Sequence, residues 1–312
     1  MKNEKLFAVS VNNIKKSYGK TVALNDLTFD VEKGELFGII GPDGAGKTTL
    51  FRILTTLLVA DEGSAVIDGF DIVRDYKAIR QQVGYMPGRF SLYQDLTVEE
   101  NLTFFASVFG TTIKENYHLI EDIYKQIEPF KDRRAGNLSG GMKQKLALCC
   151  ALIHKPSALF LDEPTTGVDP VSRKEFWQML RRLQKQGITI LVSTPYMDEA
   201  TLCDRIALIR EGEFLTIDTP QGIVGKFNRL LYAASSDNMS YLLSDLRQMP
   251  EVKSCYAFGD VHHVVLTQDN MLLALRNMLN EKGHTNVDIH PITATVEDCF
   301  MELNNAQLKM HK

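Results

Sequence analysis

Residues 41–49 read Gly41-Pro42-Asp43-Gly44-Ala45-Gly46-Lys47-Thr48-Thr49. A short apolar run, 35–40, precedes them and stops at a glycine, as a buried strand does, while helical spacing follows from Lys47 to Leu58. Glycines allow the backbone of such a turn to wrap with its N–H groups inward, where they hold phosphate oxygens, and the helix adds its positive end. The stretch therefore predicts a phosphate-binding loop between a strand and a helix.

Two side chains at the end of this loop have the chemistry needed for a nucleoside triphosphate. The Lys47 ammonium can reach the β- and γ-phosphates, and the Thr48 hydroxyl can bind Mg²⁺. The alternative is a glycine-rich turn with a chance lysine, but the strand and the helix on either side count against it. The residues predicted to contact the nucleotide here are Gly41, Pro42, Asp43, Gly44, Ala45, Gly46, Lys47, Thr48 and Thr49.

A second apolar strand, 158–161, delivers two acids to the edge where open parallel sheets bind ligands. Asp162 can hold Mg²⁺ through a water, and Glu163 can polarise the attacking water as the catalytic residue. A strand that merely ends in two solvated acids is the alternative. The phosphate loop elsewhere in the same chain favours the functional interpretation.

Strands and helices alternate along much of the chain, which predicts an α/β fold around a largely parallel sheet. A helical pattern over about 90–155 interrupts the alternation and is interpreted as a subdomain. Beyond residue 227 the order is β-α-β-β-α-β, typical of a small ferredoxin-like α+β domain. We therefore expect one domain over 1–227 and a second over 228–312.

The composition of the 312 residues, 44% apolar and 24% charged, is that of a globular protein. The net charge of −4 argues against a nucleic-acid partner, which would call for a basic excess or a basic stripe. No run approaches the ~18 apolar residues of a membrane span. Any membrane-spanning part is therefore expected to belong to separate subunits.

The run Leu138-Ser139-Gly140-Gly141-Met142 resembles the signature of the ABC ATPases. The resemblance extends over roughly residues 5–225, in which Tyr18 matches the aromatic residue that stacks on adenine and 167–170 match the D-loop. It implies an ATPase that uses ATP and Mg²⁺. It also implies a P-loop NTPase core with an antiparallel β subdomain and the helical subdomain.

In that family the signature binds the γ-phosphate of a nucleotide held by the opposite subunit, so two subunits sandwich two nucleotides. The residues themselves are compatible with this role, because Ser139 is a good N-cap and the N–H groups of Gly140 and Gly141 at a helix start can bind an anion. A capped helix without a ligand is the alternative. The implied partners are a second ABC ATPase subunit, identical or different, and separate membrane-spanning permease subunits.

The C-terminal residues 295–300 resemble those of ATP-binding subunits in ABC-2-type exporters, and the loop 41–49 is similar to that of the first half of tandem-ABC exporter ATPases. This implies an exporter subunit that lies in the cytoplasm, peripherally on the cytoplasmic face of the cell membrane. It also implies that the C-terminal domain stabilises or regulates the dimer.

An aromatic face in the predicted helical subdomain allows two interpretations. It can pack the core of that subdomain, or part of it can form a groove for a coupling helix of a membrane subunit. The face consists of Phe104, Phe105 and Phe109, and the groove would combine part of it with Phe90, Leu92 and Tyr93.

Two positions depart from the family pattern. Gly88 lies where a glutamine that contacts Mg²⁺ and water is usual, and Gln94 is too far along the chain to replace it. Pro195 lies where a histidine that contacts the γ-phosphate is usual, and no histidine occurs between His154 and His262. We therefore expect ATP to bind while turnover at this chain's own site is slow.

The hypothesis that follows is an asymmetric dimer, in which this chain's signature completes a competent site on a different partner. A homodimer in which Glu163 suffices for slow turnover is the alternative. A non-hydrolysing, nucleotide-gated scaffold is also open. A soluble ABC protein acting on ribosomes or DNA is disfavoured by the single phosphate loop and the acidic balance.

Overall fold

The computed structural model describes residues 7–268 and 271–310. Its contacts divide the chain into two compact units, Met1–Pro220 and Gln221–Lys312. The predicted boundary at 227/228 lies further along the chain. The difference arises because Ile223 is buried, and its carbonyl accepts a hydrogen bond from the Cys299 thiol in the C-terminal unit.

The first unit contains ten strands and seven α-helices within the described residues. In chain order they are β1 (Phe7–Tyr18), β2 (Thr21–Glu32), β3 (Leu36–Ile40), α1 (Lys47–Leu54), β4 (Glu62–Ile67), β5 (Phe70–Asp71), α2 (Tyr76–Gln82), β6 (Val83–Met86), α3 (Val98–Val108), α4 (Ile113–Tyr124), α5 (Gly140–Leu152), β7 (Ala158–Asp162), α6 (Pro170–Lys185), β8 (Thr189–Thr194), β9 (Arg205–Arg210), β10 (Glu213–Asp218) and α7 (Pro220–Gly225), the last of which crosses the division.

A six-stranded sheet forms the centre of this unit, with the order β10-β9-β3-β8-β7-β6. All neighbours are parallel except β9 and β10, and every residue of β3, β7 and β8 is buried. Strands covered on both faces read as continuous apolar runs, which is why β3 and β7 were recognisable in the sequence. The pairs Ile40↔Thr194 and Asp162↔Ser193 align their carboxyl ends at one edge.

A second, antiparallel sheet has the order β2-β1-β4-β5. Tyr18 pairs with Thr21 at the tip of the β1–β2 hairpin. The hairpin passes close to the phosphate loop, because a Cβ on Gly46 would lie 2.5 Å from the carbonyl oxygen of Ala23. This sheet therefore brings Tyr18 towards the same region as the loop.

The helices α3, α4 and α5 follow one another in the segment predicted to be helical. Thr97 and Thr112 cap α3 and α4 with reciprocal bonds to Glu100 and Glu115, respectively. Asn101 is fully buried, and its side chain bonds the backbone of residues 93, 96 and 97. It thereby fixes the loop that precedes α3.

The C-terminal unit contains a four-stranded antiparallel sheet and three further helices. Its elements are β11 (Leu231–Ser235), α8 (Met239–Gln248), β12 (Val252–Phe258), β13 (Val261–Leu266), α9 (Leu272–Glu281), β14 (Asp288–Ile292) and α10 (Val296–Met310). The strand order β12-β13-β11-β14 is the ferredoxin-like arrangement, as predicted. Apolar residues of α8 and α9 pack against one face of this sheet. In the part of the chain that the structure covers, no helix is both long and apolar enough for a membrane span.

Candidate functional site

The phosphate loop leaves the end of β3 with backbone angles that favour glycine. Gly44 and Gly46 have φ values of 79° and 104°, where other residues are strained. Gly41 is required for a different reason, because a Cβ there would lie 2.1 Å from the carbonyl oxygen of Ile209 in β9. Both constraints are those of a backbone that wraps around a bound phosphate group.

Lys47 points back into this loop. Its ammonium donates to the carbonyl oxygens of Gly41 at 2.8 Å and Pro42 at 2.9 Å, and lies 3.0 Å from the Glu163 carboxylate. Its side chain is only 2% exposed. The positive charge is therefore concentrated at the centre of the loop.

The remaining residues of the loop differ in exposure. Ala45 is buried, and its carbonyl accepts from the N–H of Gly212 at 3.1 Å. Pro42, Asp43 and Thr48 are exposed, and Thr49 is half-buried. Thr48 lies in the first turn of α1 and leaves its hydroxyl open to a ligand.

The two acids after β7 lie beside the loop. Asp162 is buried and accepts a hydrogen bond from the Ser193 hydroxyl at 2.7 Å. Glu163 adopts a φ of 49°, and its N–H donates to the carbonyl and the hydroxyl of Ser193 at 3.1 and 3.0 Å. Ser193 therefore positions both acids, a role that sequence reasoning missed because the residue belongs to a different strand.

The residues present fit a magnesium ion bound together with phosphates. No cluster of three or more His, Cys, Asp or Glu side chains able to hold a metal occurs within 7–268 and 271–310. Mg²⁺ commonly takes only one or two carboxylates plus phosphate oxygens and waters. Asp162 and the hydroxyl of Thr48, next to the glycine cradle, are such a set.

The two departures from the family pattern lie at this edge. A Cβ on Gly88 would be 3.0 Å from the carbonyl oxygen of Asp162, so position 88 borders the acids. Gln94 is exposed, and its carbonyl accepts a hydrogen bond from the N–H of Gly136. Pro195 directly follows Thr194, whose carbonyl accepts from the Gly41 N–H at 3.2 Å.

The signature residues begin α5 on the surface of the first unit. The Ser139 hydroxyl accepts from the N–H of Met142 at 3.3 Å, as an N-cap does. Ser139 and Gly140 are exposed and Gly141 is half-buried. The first N–H groups of the helix thus point to a part of the surface that another molecule can reach.

Tyr18 is 49% exposed at the tip of its hairpin. The Lys16 ammonium lies 6.0 Å from the ring centroid. The exposed ring at the tip of this hairpin is available for stacking on a base.

A separate apolar groove of about 390 Å³ lies between the helical segment and the central sheet. His154 lines it, stacks on Phe109 at 3.8 Å and donates from Nε2 to the carbonyl oxygen of Val83 at 3.0 Å. Burial lowers the pKa of His154, which keeps the ring neutral. Of the residues predicted for a groove, Leu92, Phe105 and Phe109 line this one, while Phe90 lines a neighbouring cavity.

Comparison with known sequences is consistent with this geometry. Residues 24–166 match the family described as ABC transporter. The chain is 39% identical over 287 residues to the probable multidrug ABC transporter ATP-binding protein YbhF of Escherichia coli, covering 90% of this chain and 49% of YbhF. It thus spans about half the length of that relative. It is 35% identical over 279 residues to the doxorubicin resistance ATP-binding protein DrrA of Mycobacterium tuberculosis, covering 86% of this chain and 81% of DrrA.

Solved structures give the same assignment. The ATP-binding cassette MJ0796, in a dimeric post-hydrolysis state bound to ADP and Pi, matches with a TM-score of 0.62 and 26% identity, covering 68% of this chain and 98% of that one. The chain therefore belongs to the ABC transporter family of ATP-binding proteins, related to exporter ATPases, as its motifs predicted.

Proposed function

We propose that this protein binds MgATP and couples its binding and hydrolysis to export by separate membrane subunits. The observation that carries the proposal is the convergence of Lys47, Asp162 and Glu163 at the phosphate loop, in a chain of this family. Asp162 and Glu163 lie at the carboxyl end of the buried parallel strand β7. Lys47 begins helix α1, which follows the buried parallel strand β3. Open α/β sheets bind ligands at that edge.

The chain's own groups have distinct roles in this proposal. The backbone N–H groups of the loop and the Lys47 ammonium bind the phosphates, and Tyr18 stacks on the adenine. Thr48 and Asp162 hold Mg²⁺, which neutralises phosphate charge when bound. Glu163 orients and polarises the attacking water, since it is the acid nearest to Lys47 that is not buried.

The exposed signature supports a dimer in which each chain completes the other's site. Ser139, Gly140 and Gly141 present helix N–H groups at the surface, which suits the γ-phosphate of a nucleotide held by a partner. The relative MJ0796 is a dimer with ADP and Pi. The second ATPase subunit is therefore the expected partner for this surface.

We infer that this chain's own site turns over slowly. Position 88 borders Asp162 and position 195 follows the strand end that contacts the loop, yet glycine and proline offer no side-chain donor there. Losing one preorganised contact costs about 2.7–4 kcal/mol, or roughly 10²–10³ in rate. Two losses need not add, but together they favour an asymmetric pair with a competent partner.

A non-hydrolysing scaffold subunit is the second candidate, and the absence of donors at positions 88 and 195 favours it. A homodimer with slow hydrolysis is the third, because Glu163 remains in place. The soluble alternative that acts on ribosomes or DNA is disfavoured by the single phosphate loop and the acidic balance of the chain.

The apolar groove lined by Leu92 and Phe105 supports attachment to a membrane subunit. Its residues are drawn from α3, α5 and the segment after β6, so an inserted helix would contact the same segment that carries Gly88. The names of YbhF and DrrA associate those relatives with multidrug transport and doxorubicin resistance. We propose an exporter role by analogy, at the cytoplasmic face of the membrane.

ATP turnover by this chain alone and with each candidate ATPase subunit tests the proposal. We expect slow turnover alone and a large increase in the correct pair. Ser139→Arg should abolish that increase while this chain still binds ATP, because the signature serves the partner's site. Asp132→Arg adds the same side chain at another exposed position and should have no effect. Fast hydrolysis by the chain alone, or full activity with Ser139→Arg, would contradict the asymmetric pair.

A further inference from the structure

Glu199 is a buried carboxylate that none of the roles above uses. It lies in the 3₁₀ helix Met197–Leu202 and is 3% exposed. One carboxylate oxygen accepts from the hydroxyls of Thr194 at 2.5 Å and Thr165 at 3.1 Å. The other accepts from two nitrogens of the Arg173 guanidinium at 3.0 and 3.1 Å. These four bonds compensate a charge whose burial is otherwise costly.

The two threonines lie beside the candidate site, one in the turn after β7 and the other at the end of β8. Thr165 is fully buried and follows Glu163 in the turn after β7. Thr194 ends β8, and its carbonyl accepts from the Gly41 N–H at 3.2 Å. Glu199 therefore ties the catalytic turn to the strand end that contacts the phosphate loop.

Arg173 connects the same carboxylate to helix α6. The helix is capped by Asp169, whose carbonyl also accepts from the Arg173 N–H at 2.9 Å. The guanidinium lies 4.1 Å from the centroid of the Tyr196 ring, in the loop after β8. Arg173 thus holds both Glu199 and the segment that follows Pro195.

We propose that Glu199 is a positioning residue that couples the phosphate loop to helix α6 through Arg173. The inference rests on the proposed binding of MgATP. Pro195 has no donor that could fix the loop after β8. The hydrogen bond between Thr194 and Glu199 fixes this loop instead. A displacement of Gly41 on nucleotide binding is passed to the Thr194 carbonyl, then through Glu199 and Arg173 to α6. The segment 167–170, at the start of that helix, is then repositioned.

Tryptophan fluorescence can report on this coupling. Trp177, its only tryptophan, lies one turn after Arg173 on α6 and is 4% exposed. We expect MgATP to change the fluorescence of Trp177 in the full chain. Glu199→Gln keeps the size of the side chain and an acceptor for the threonines but loses the charge that holds Arg173. It should still bind MgATP, as measured by calorimetry, and lose most of the fluorescence change.

The adjacent acid provides a matched control. Asp198 is exposed and bonds the same guanidinium at 3.4 Å, so Asp198→Asn should keep the full response. If Glu199→Gln does not fold, Arg173→Gln serves as the second variant. It leaves the hydrogen bonds between Glu199 and the threonines in place. It should also lose the response, and Arg173→Lys should restore part of it.

The outcomes separate this inference from the proposed function. A folded Glu199→Gln or Arg173→Gln variant with a full Trp177 response would overturn the coupling alone. So would a wild-type chain that binds MgATP without any fluorescence change. A wild-type chain that binds no MgATP would overturn both, since coupling requires the nucleotide.

Discussion

Lys47 and Glu163 form an ion pair at the centre of the site, and both residues are held under constraint. Glu163 takes a left-handed φ of 49°, which costs of order 1–3 kcal/mol for a residue other than glycine. Two hydrogen bonds from its N–H to Ser193 offset part of that cost. The strained turn aims the carboxylate at Lys47 and at the loop, where a water beside the phosphates would lie.

Glu163→Gln tests this carboxylate. Turnover by the chain alone should fall by roughly 10²–10⁴, the usual contribution of a general base, while MgATP still binds. Turnover is measured by phosphate release and binding by calorimetry. Glu175→Gln, an exposed glutamate on α6 paired with Lys145, is the matched control and should behave as wild type. Unchanged turnover in Glu163→Gln would exclude Glu163 as the base.

The cysteines should be inert in the folded protein. All five are free and buried. Burial raises the pKa of Cys255 to about 12 and of Cys299 to about 11, and raises that of Cys149 further. Because a thiol reacts as its thiolate, a thiol reagent at pH 8 should label none of them rapidly, whereas all five should react in guanidinium. Fast labelling of the native chain would contradict the buried placement.

Local signals identified most elements around the site, and long-range pairing accounts for those that were missed. The caps Ser139 and Asp169 mark the starts of α5 and α6 in the sequence itself. Strand β9 is defined by its pairing with the distant β3, which a local pattern does not reveal. The α1 helix ends at Leu54 rather than Leu58, because the Thr55 hydroxyl bonds the Phe51 carbonyl and Thr56 adopts a φ of 62°.

The residues of the candidate site also differ in whether a local sequence pattern reveals them. The loop 41–49 and the acids 162–163 are contiguous motifs, so the sequence contained them in full. Ser193 and Glu199 act on residues far along the chain, and only the arrangement of β7 and β8 in space brings them together. No local pattern distinguished these two side chains from ordinary polar residues.

Asn101 shows how one side chain can define an element boundary. It makes four hydrogen bonds to the backbone of the loop before α3 and is fully buried. Asn101→Ala leaves buried polar groups unpaired, so the free energy of unfolding in urea should fall by about 1–3 kcal/mol. Asn137→Ala, at an exposed position, should change it by less than about 0.5 kcal/mol. Equal stability of the two variants would contradict the bracing role.

At the scale of the whole molecule, each of the two units has its own apolar core. The first unit holds every residue assigned to the nucleotide, with the phosphate loop at the sheet edge and the signature exposed at the start of α5. In the proposed dimer, one chain would therefore supply one half of each of two sites. The proposed function requires a second subunit and uses the groove lined by Leu92 and Phe105.

The most direct measurement is a calorimetric titration of the full chain with ATP in the presence of Mg²⁺, beside the Lys47→Gln variant. The account predicts saturable binding of one nucleotide per chain. Loss of charged hydrogen bonds worth about 1.5–3 kcal/mol should weaken binding by the variant roughly 10–100-fold. Absence of binding by the wild-type chain, or equal affinity of the two proteins, would contradict it.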